Sequence, residues 1–352
     1  MRLEFINRVR ENDILGKSIL TNDGSVLLRA GIELTAQYIK KLKELGVFYL
    51  YIEDERLEDV YVEDERLSKL KQLTMKNMDK VIKNLNNANR KEAKDSLMIV
   101  ENLIEYIIDS GDINRSLYDI KTHDNYTFVH CIDTGIMSAF LGEALGFRDD
   151  ELKELGKGAI LHDIGKTKIS NKIINKKGSL TEDEFLEIKN HPIYGREILL
   201  KNMYISDIVL KAVEQHHERV NGSGYPYGLC GNQISKFGKA VCICDVYDAV
   251  SNDRSYRKKF SPNEAYELIL AGSGTMFDEE MVVKFKDTFA IYPLGCCVRL
   301  SNNVEGYVIR QNIGFPDRPV IRVLYDAETR RPIHFYEVDL LEHLDIVIES
   351  IA

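Results

Sequence analysis

No run of 18 or more apolar residues occurs in this 352-residue chain, which excludes a conventional membrane-spanning helix. The opening MRLEFINRVREND has no apolar signal core either, so the expectation is a cytoplasmic protein. A basic surplus is also missing: 47 lysines and arginines stand against 56 aspartates and glutamates, a net charge of -9. That balance argues against a nucleic-acid polymer as the main ligand, because such binders carry a basic surface that releases counterions. A small anionic ligand needs only a few local cations. The six cysteines (Cys131, Cys230, Cys242, Cys244, Cys296 and Cys297) include no CxxC pair and no secreted-type spacing, so they read as reduced and mostly packing residues. Cys242 and Cys244, inside AVCICDVYDAV, fit the core side of a helix. No internal repeat or low-complexity tract is present, and glycine and proline are absent from Asp54 to Ser110.

At roughly 150 residues per domain the length allows two or three domains. A hydrophobic content of 44% with 29% charged residues is ordinary for a globular protein. The periodicity predicts a mainly α chain in four segments. Residues 1–53 read as a small N-terminal α/β module: ILGKSIL and VLLRAGI flank a hairpin turn at Asn22-Asp23-Gly24. In the same module Thr35 caps a helix that Gly46 ends. Its polar candidates, Asp23 and the Lys40-Lys41 pair, read as a turn residue and a solvated face. Residues 54–115 carry apolar residues at helical spacing in LSKLKQLTMKNMDKVI and DSLMIVENLIEYII, which predicts a helical linker or an antiparallel helix pair. Such a stripe packs on its own domain or forms a homodimer seam, and the heptads are too few to choose. Residues 116–290 are almost all helix, with Gly- and Pro-bearing loops between apolar stripes. From about Tyr292 the pattern changes to β-branched alternation with turns at Asn302-Asn303 and Asp326, so residues 291–352 read as a small antiparallel β module.

The helical segment holds the chemistry. His130, His162-Asp163, His191, His216-His217 and Asp245 supply neutral imidazole nitrogens and carboxylate oxygens, the ligand types of a hydrolytic first-row metal centre. Two metals need about seven such groups, which is what this stretch offers. Two adjacent pairs and three single ligands are hard to attribute to packing. His162 and Asp163 end the apolar helix GAILHDIGK, and a carboxylate placed there can bridge two cations about 3.5 to 4 Å apart. His130 lies within another helix and His191 directly precedes Pro192. His216 and His217 project about 100° apart if helical, which suits two adjacent ligands. Asp245, in an otherwise apolar helix, would be costly to bury without a cation.

HDIGK at 162–166, HPIYG at 191–195, HHERVNGSGYP at 216–226 and DVYDAVSNDRSYR at 245–257 resemble the HD-GYP family of cyclic-di-GMP phosphodiesterases. The resemblance covers about 175 residues, Ser116 to Ala290. HD alone would be a weak signal, since many phosphohydrolases share it, whereas HD with HHE and GYP at these spacings is specific. The resemblance implies an all-helical HD-type domain at 116–290. One metal would be bound by His130, His162, Asp163 and Asp245, and a second by Asp163, His191, His216 and His217. Some relatives hold a third metal through a glutamate four residues before the first histidine; here that place is Tyr126, so two divalent ions are expected. Iron or manganese follows the family, and the donors also admit zinc. The expected mechanism is in-line attack on the phosphodiester by a hydroxide bridging the two metals.

By the same resemblance Asp163 and Lys166 are catalytic, and Lys166, Gly224, Tyr225, Pro226, Arg254 and Arg257 contact substrate. Gly222, Gly224 and Pro226 shape a loop that can approach a ligand closely. Arg254 and Arg257 form a fork-capable pair for phosphate or guanine edges, and Asp248, one turn from Asp245, can orient a metal histidine or pair with an arginine. The residue before Gly222 is usually Asp in the family and is Asn221 here, which keeps the acceptor that caps the turn and loses its charge. His123, His334 and His343 have no partners in sequence and read as surface or packing residues.

The function these readings favour is hydrolysis of cyclic-di-GMP to linear pGpG, with continuation to GMP left open. One alternative is a cyclic-dinucleotide receptor or scaffold with vestigial activity. Another is a phosphodiesterase for cyclic GMP-AMP, which the GYP loop does not separate from the first.

Overall fold

The computed structural model describes every residue except 22–23, 61–63, 111–126, 177, 203–204, 252–261, 313 and 330. Among the described residues the chain is mainly helical with a small antiparallel sheet at its C-terminal end. No described helix is long and apolar enough to cross a membrane.

Strand β1 (Arg2–Phe5) pairs antiparallel with β4 (Tyr49–Ile52). The sequence pattern did not suggest β1, since four residues with only Leu3 fully buried are too short to reveal a period of two. Strands β2 (Ile19–Leu20) and β3 (Val26–Leu28) pair as the expected hairpin, although Asn22 and Asp23 of its turn lie outside the described residues. Helix α1 (Ala36–Glu44) begins where the Thr35 hydroxyl accepts the Tyr38 N–H at 3.3 Å and ends before Gly46, which takes φ +75°. Lys40 and Lys41 are exposed on it.

Helices α2 (Glu65–Asn86) and α3 (Arg90–Asp109) form a helical hairpin. Met75, Met78, Val100, Leu103, Ile104 and Ile107 enter the main core, while Val81, Leu85, Ala93 and Leu97 meet Leu161, Ile164, Ile198, Leu199 and Val213 in a second core. Lys71 of α2 also reaches the buried Asp133 carboxylate at 2.6 Å. The segment read as a linker is thus a wall of the helical domain. Leu73 and Met98 are the exposed large apolar side chains on this hairpin.

The remaining helices are α4 (Thr127–Ala144), α5 (Asp149–Leu161), α6 (Asn171–Ile174), α7 (Glu182–Lys189), α8 (His191–Leu200), α9 (Asp207–Gln215), α10 (Lys236–Ser251), α11 (Pro262–Ala271) and α12 (Glu279–Thr288). Helix α10 is buried on every side through Val241, Ile243, Cys244 and Tyr247, the pattern of a central helix. Helix α5 crosses α4 and α9 closely because glycines stand at the crossings: a Cβ on Gly135 would strike Ile160, and one on Gly158 would strike Ala212.

Strands β5 (Cys297–Leu300), β6 (Val304–Asn312), β7 (Phe315–Asp326), β8 (Pro332–Asp339) and β9 (Ile348–Ile351) form an antiparallel sheet in the order β8-β7-β6-β5-β9. The expected turns are present, with Asn303 at φ +66° and the Asp326 carboxylate accepting the Thr329 N–H at 2.8 Å. The two terminal modules share one core: Leu3, Tyr49, Tyr51, Leu57 and Val60 pack with Val298, Leu300, Val308, Ile321 and Val323. The Leu3 N–H donates to the Gly295 carbonyl at 2.8 Å, and Arg322 donates to both Asp59 oxygens. All six cysteines are free, and His334 and His343 are exposed, as expected for surface histidines.

Candidate metal centre

Five segments deliver the expected donors to one place. His130 comes from α4, and His162 closes α5 with Asp163 immediately after it. The 3-10 turn Ile164–Lys168 then lies directly on the start of α8, where His191 is the first residue. That approach requires Gly165, because a Cβ there would meet the His191 carbonyl oxygen and the Gly195 nitrogen. His216 caps the end of α9 with His217 next to it, and Asp245 faces them from α10.

The donors fall into two groups: Asp163, His191, His216 and His217 in one, and His130, His162 and Asp245 in the other, each with ligand atoms within 4.8 Å of one another. Asp163 stands between them. Its Oδ1 lies 3.3 Å from His191 Nε2 and 4.0 Å from His216 Nε2, while its Oδ2 is 3.5 Å from His162 Nε2. Asp245 Oδ1 is 3.0 Å from His130 Nε2 and 3.6 Å from His162 Nε2, and its Oδ2 is 3.6 Å from His217 Nδ1.

The backbone sets the tautomers. Nδ1 of His162, His191 and His216 lies 2.6 to 2.7 Å from the carbonyl oxygens of Ala159, Ile188 and Val213, each three residues earlier. A carbonyl only accepts, so Nδ1 carries a proton, and in the neutral ring Nε2 then presents a lone pair. His191 Nε2 and His216 Nε2 lie 3.1 Å apart, and between neutral rings protonated at Nδ1 this sets two lone pairs face to face, which repel unless a cation sits against both. His162 Nε2 and Asp163 Oδ1 are buried without a hydrogen-bond partner, where buried polar atoms ordinarily have one. Such a donor set fits divalent first-row ions.

Burial holds the imidazolium forms of His162 and His217 down, His217 to about 3, and that of His216 well down. Burial works against the Asp163 and Asp245 carboxylates, yet both stay far below the usual range. Lys166 and the imidazoles outweigh it at Asp163, and His130 with the other imidazoles at Asp245. Near neutral pH His162, His216 and His217 therefore offer neutral nitrogens, and Asp163 and Asp245 ionised oxygens. His130 differs: burial opposes its charge, but Asp245 and Asp248 overcome this and push it up to about 9. A metal at its Nε2 must displace a proton.

Asp248 takes the orienting place, its Oδ2 2.6 Å from His130 Nδ1. Asp248→Asn keeps the shape and removes the charge that aims this imidazole, so metal affinity should fall about 10- to 100-fold with little change in melting temperature. Titration of the metal-free protein with manganese measures it; unaltered affinity would remove Asp248 from the centre.

Lys166 Nζ lies 2.5 Å from Asp163 Oδ2, at the rim of the donor cluster. Tyr225 stacks on His217 with ring centroids 4.5 Å apart, and Lys189 Nζ lies 5.6 Å from the Tyr225 ring centroid. The loop carrying Gly224 and Pro226 folds hard against its own start, since a Cβ on Gly224 would strike the Glu218 and Arg219 backbone. Asn221 caps the turn as expected, its Oδ1 accepting from the Ser223 N–H at 3.0 Å while Gly222 takes φ +80°. Glu218 was assigned no role from sequence. It is buried, and its carboxylate accepts the Tyr227 and Leu229 N–H groups at 2.8 and 2.9 Å, tying the far side of the loop to the histidine pair. The signal available was its place directly after His216-His217. His123, Tyr126, Arg254 and Arg257 lie outside the described residues.

An HD-domain family model matches residues 124–281, and a KOW domain associated with HD domains matches residues 297–352. A cyclic di-GMP phosphodiesterase of Pseudomonas aeruginosa is 36% identical over 225 residues, which cover 64% of this chain and 54% of that protein. A cyclic di-GMP phosphodiesterase response regulator of Xanthomonas campestris pv. campestris is 34% identical over 172 residues, 48% of this chain and 45% of that protein. The chain thus spans about half the length of these curated relatives. Among solved structures, an HDG"Y"P protein of Bdellovibrio bacteriovorus matches with a TM-score of 0.54 at 18% identity, covering 81% of this chain and 98% of that one. That is a likeness of fold.

Proposed function

Since the chain belongs to the HD-GYP branch of the HD-domain family, we propose that it hydrolyses a phosphodiester bond of cyclic-di-GMP, giving linear pGpG. The observation that carries this reading is the pair of adjacent donor groups with the Asp163 carboxylate standing between them, in one of which the His191 and His216 Nε2 atoms lie 3.1 Å apart. His130, His162, Asp163 and Asp245 would hold one divalent ion, and Asp163, His191, His216 and His217 another. Iron or manganese is proposed, with zinc admitted by the donors. When bound, such ions supply positive charge for the phosphoryl oxygens and acidify water.

The chain's own groups do the rest. Asp163 aligns both halves of the centre, and Lys166 on its Oδ2 is placed to stabilise charge on the scissile phosphate or the leaving oxygen. Gly224 lets the loop come close, and Tyr225 with Pro226 offers a flat, partly apolar face to a base. Arg254 and Arg257 are proposed as phosphate or guanine contacts on sequence grounds alone. The activity is proposed for the cytoplasm.

The test is a product assay on protein prepared anaerobically with iron and, separately, with manganese, given cyclic-di-GMP and cyclic GMP-AMP in parallel. Linear pGpG from cyclic-di-GMP, at a rate exceeding cyclic GMP-AMP turnover, is expected. Ligand bound and returned uncleaved from protein containing two metals would make the chain a receptor and overturn the hydrolytic reading.

A further inference from the structure

Cys131 follows His130 on α4, so the helix turns its side chain about 100° away from the Asp245-Asp248 side that His130 faces. It does not turn into plain core. Cys131 Sγ, a ring nitrogen of His162 and a carboxylate oxygen of Asp163 lie within 4.8 Å of one another. His162 Nδ1 is committed to the Ala159 carbonyl, which leaves Nε2 as the available nitrogen. That nitrogen and Asp163 Oδ1, like His130 Nε2, are buried atoms of the centre without a hydrogen-bond partner, and His162 and Asp163 are no more than 4% exposed.

Two of the other buried cysteines behave differently. Cys242 Sγ donates to the Glu218 carbonyl at 3.4 Å and Cys296 Sγ to the Cys297 carbonyl at 3.6 Å, the contacts of packing thiols. Cys131 also lines a cavity of about 190 Å³ with Ile82, Ile160, Asp163, Lys166 and Ile174.

We propose that Cys131 is a sulfur ligand to the ion held between His162 and Asp163, and that it biases this centre toward thiophilic divalent ions, ferrous iron or zinc, over manganese. The inference rests on the reading of His162 and Asp163 as metal ligands. The step is a proton exchange: the S–H bond breaks, its proton leaves to solvent, and the sulfur pair forms the bond to the ion. Thiolate is a soft donor, preferred by iron and zinc and poorly matched to manganese. An imidazole–carboxylate centre without sulfur already binds iron and zinc more tightly than manganese, and a thiolate widens that gap.

Cobalt(II) added to the metal-free 352-residue chain provides the probe, because a cobalt–thiolate bond gives a near-ultraviolet charge-transfer band that nitrogen and oxygen donors do not. The band is expected in the unaltered protein and in Cys230→Ser, which changes an exposed thiol. It should vanish in Cys131→Ser and Cys131→Ala while cobalt content stays at the unaltered level. Zinc-over-manganese preference in competition should drop roughly tenfold in both Cys131 variants. Bound cobalt without the band in the unaltered protein overturns the Cys131 proposal and leaves the metal centre standing. A band that survives Cys131→Ser assigns the sulfur elsewhere and also overturns it. A chain that takes up no cobalt overturns the metal reading and this one with it.

Discussion

Asp163→Asn should reduce phosphodiester turnover at least about a thousandfold, close to 4 kcal/mol of transition-state stabilisation, while the fold stays intact. Asparagine fills the same volume, so the change removes charge and one ligand oxygen rather than packing. Asp163 is the group whose two oxygens face different histidines, Oδ1 toward His191 and His216 and Oδ2 toward His162, so its loss weakens both halves of the donor set at once. Metal analysis of the purified variant should show fewer than two ions per chain. Lys166 would also lose its anchor, since its ammonium pairs with Asp163 Oδ2. Circular dichroism and melting separate this outcome from unfolding. Turnover within tenfold of the unaltered protein would sink the assignment of Asp163 as the shared ligand.

Gly165→Ala should be the most damaging single methyl in the helical domain. A Cβ at this position would meet the His191 carbonyl and the Gly195 nitrogen, and both are backbone atoms that no rotamer change can move aside. Either the 3-10 turn lifts from α8 or α8 shifts along it, and each response separates Asp163 from His191. Overpacking of this kind costs about 3 kcal/mol, which for a domain of this size corresponds to a fall of roughly 6–12 °C in melting temperature. Activity should fall about a hundredfold even below the melting range, because a displacement near 1 Å at a reacting centre has that effect. A thermal scan with a single-turnover assay checks both. Unaltered melting with full activity would show that the contact between the turn and α8 is looser than the geometry requires.

These two residues mark how differently the sequence exposes a site. Asp163 was readable because its chemistry is rare in a helical, apolar context: a carboxylate beside a histidine at the end of GAILHDIGK has few structural uses. The remaining donors were readable for the same reason, and the structure brings all seven together. Gly165 carried no such signal, since the interior of HDIGK reads as motif, and the reason for its glycine lies in a backbone 26 residues further along. Glu218 was also passed over, because a glutamate after two histidines looks like surface until the Tyr227 and Leu229 N–H groups are seen to converge on it. Cys131 read as a packing thiol for want of knowledge about what faced it.

Segment types were legible where a period is long enough to count. Helices α4, α5, α9, α10 and α11 and the strands from β5 to β8 follow their apolar patterns, whereas β1 and α6, each four residues long, did not show one. How the segments associate was not legible. The α2–α3 stripe could have served a dimer seam or a domain core equally well, and only its neighbours Leu161, Ile164, Ile198 and Val213 decided for the core. The first and last modules look independent along the chain, yet Leu3 and Val298 share one core.

By itself the sequence determined which donor atoms are available, that helices and their ends carry them, and that the overall charge suits a small anionic ligand better than a polymer. Those properties belong to residue types and short-range periodicity. Tertiary structure alone decided that Asp163 stands between two groups of imidazoles, that backbone carbonyls turn three Nε2 lone pairs inward, and that Cys131 faces His162 and Asp163. These depend on the approach of segments far apart in the chain, which close packing settles and local pattern does not encode.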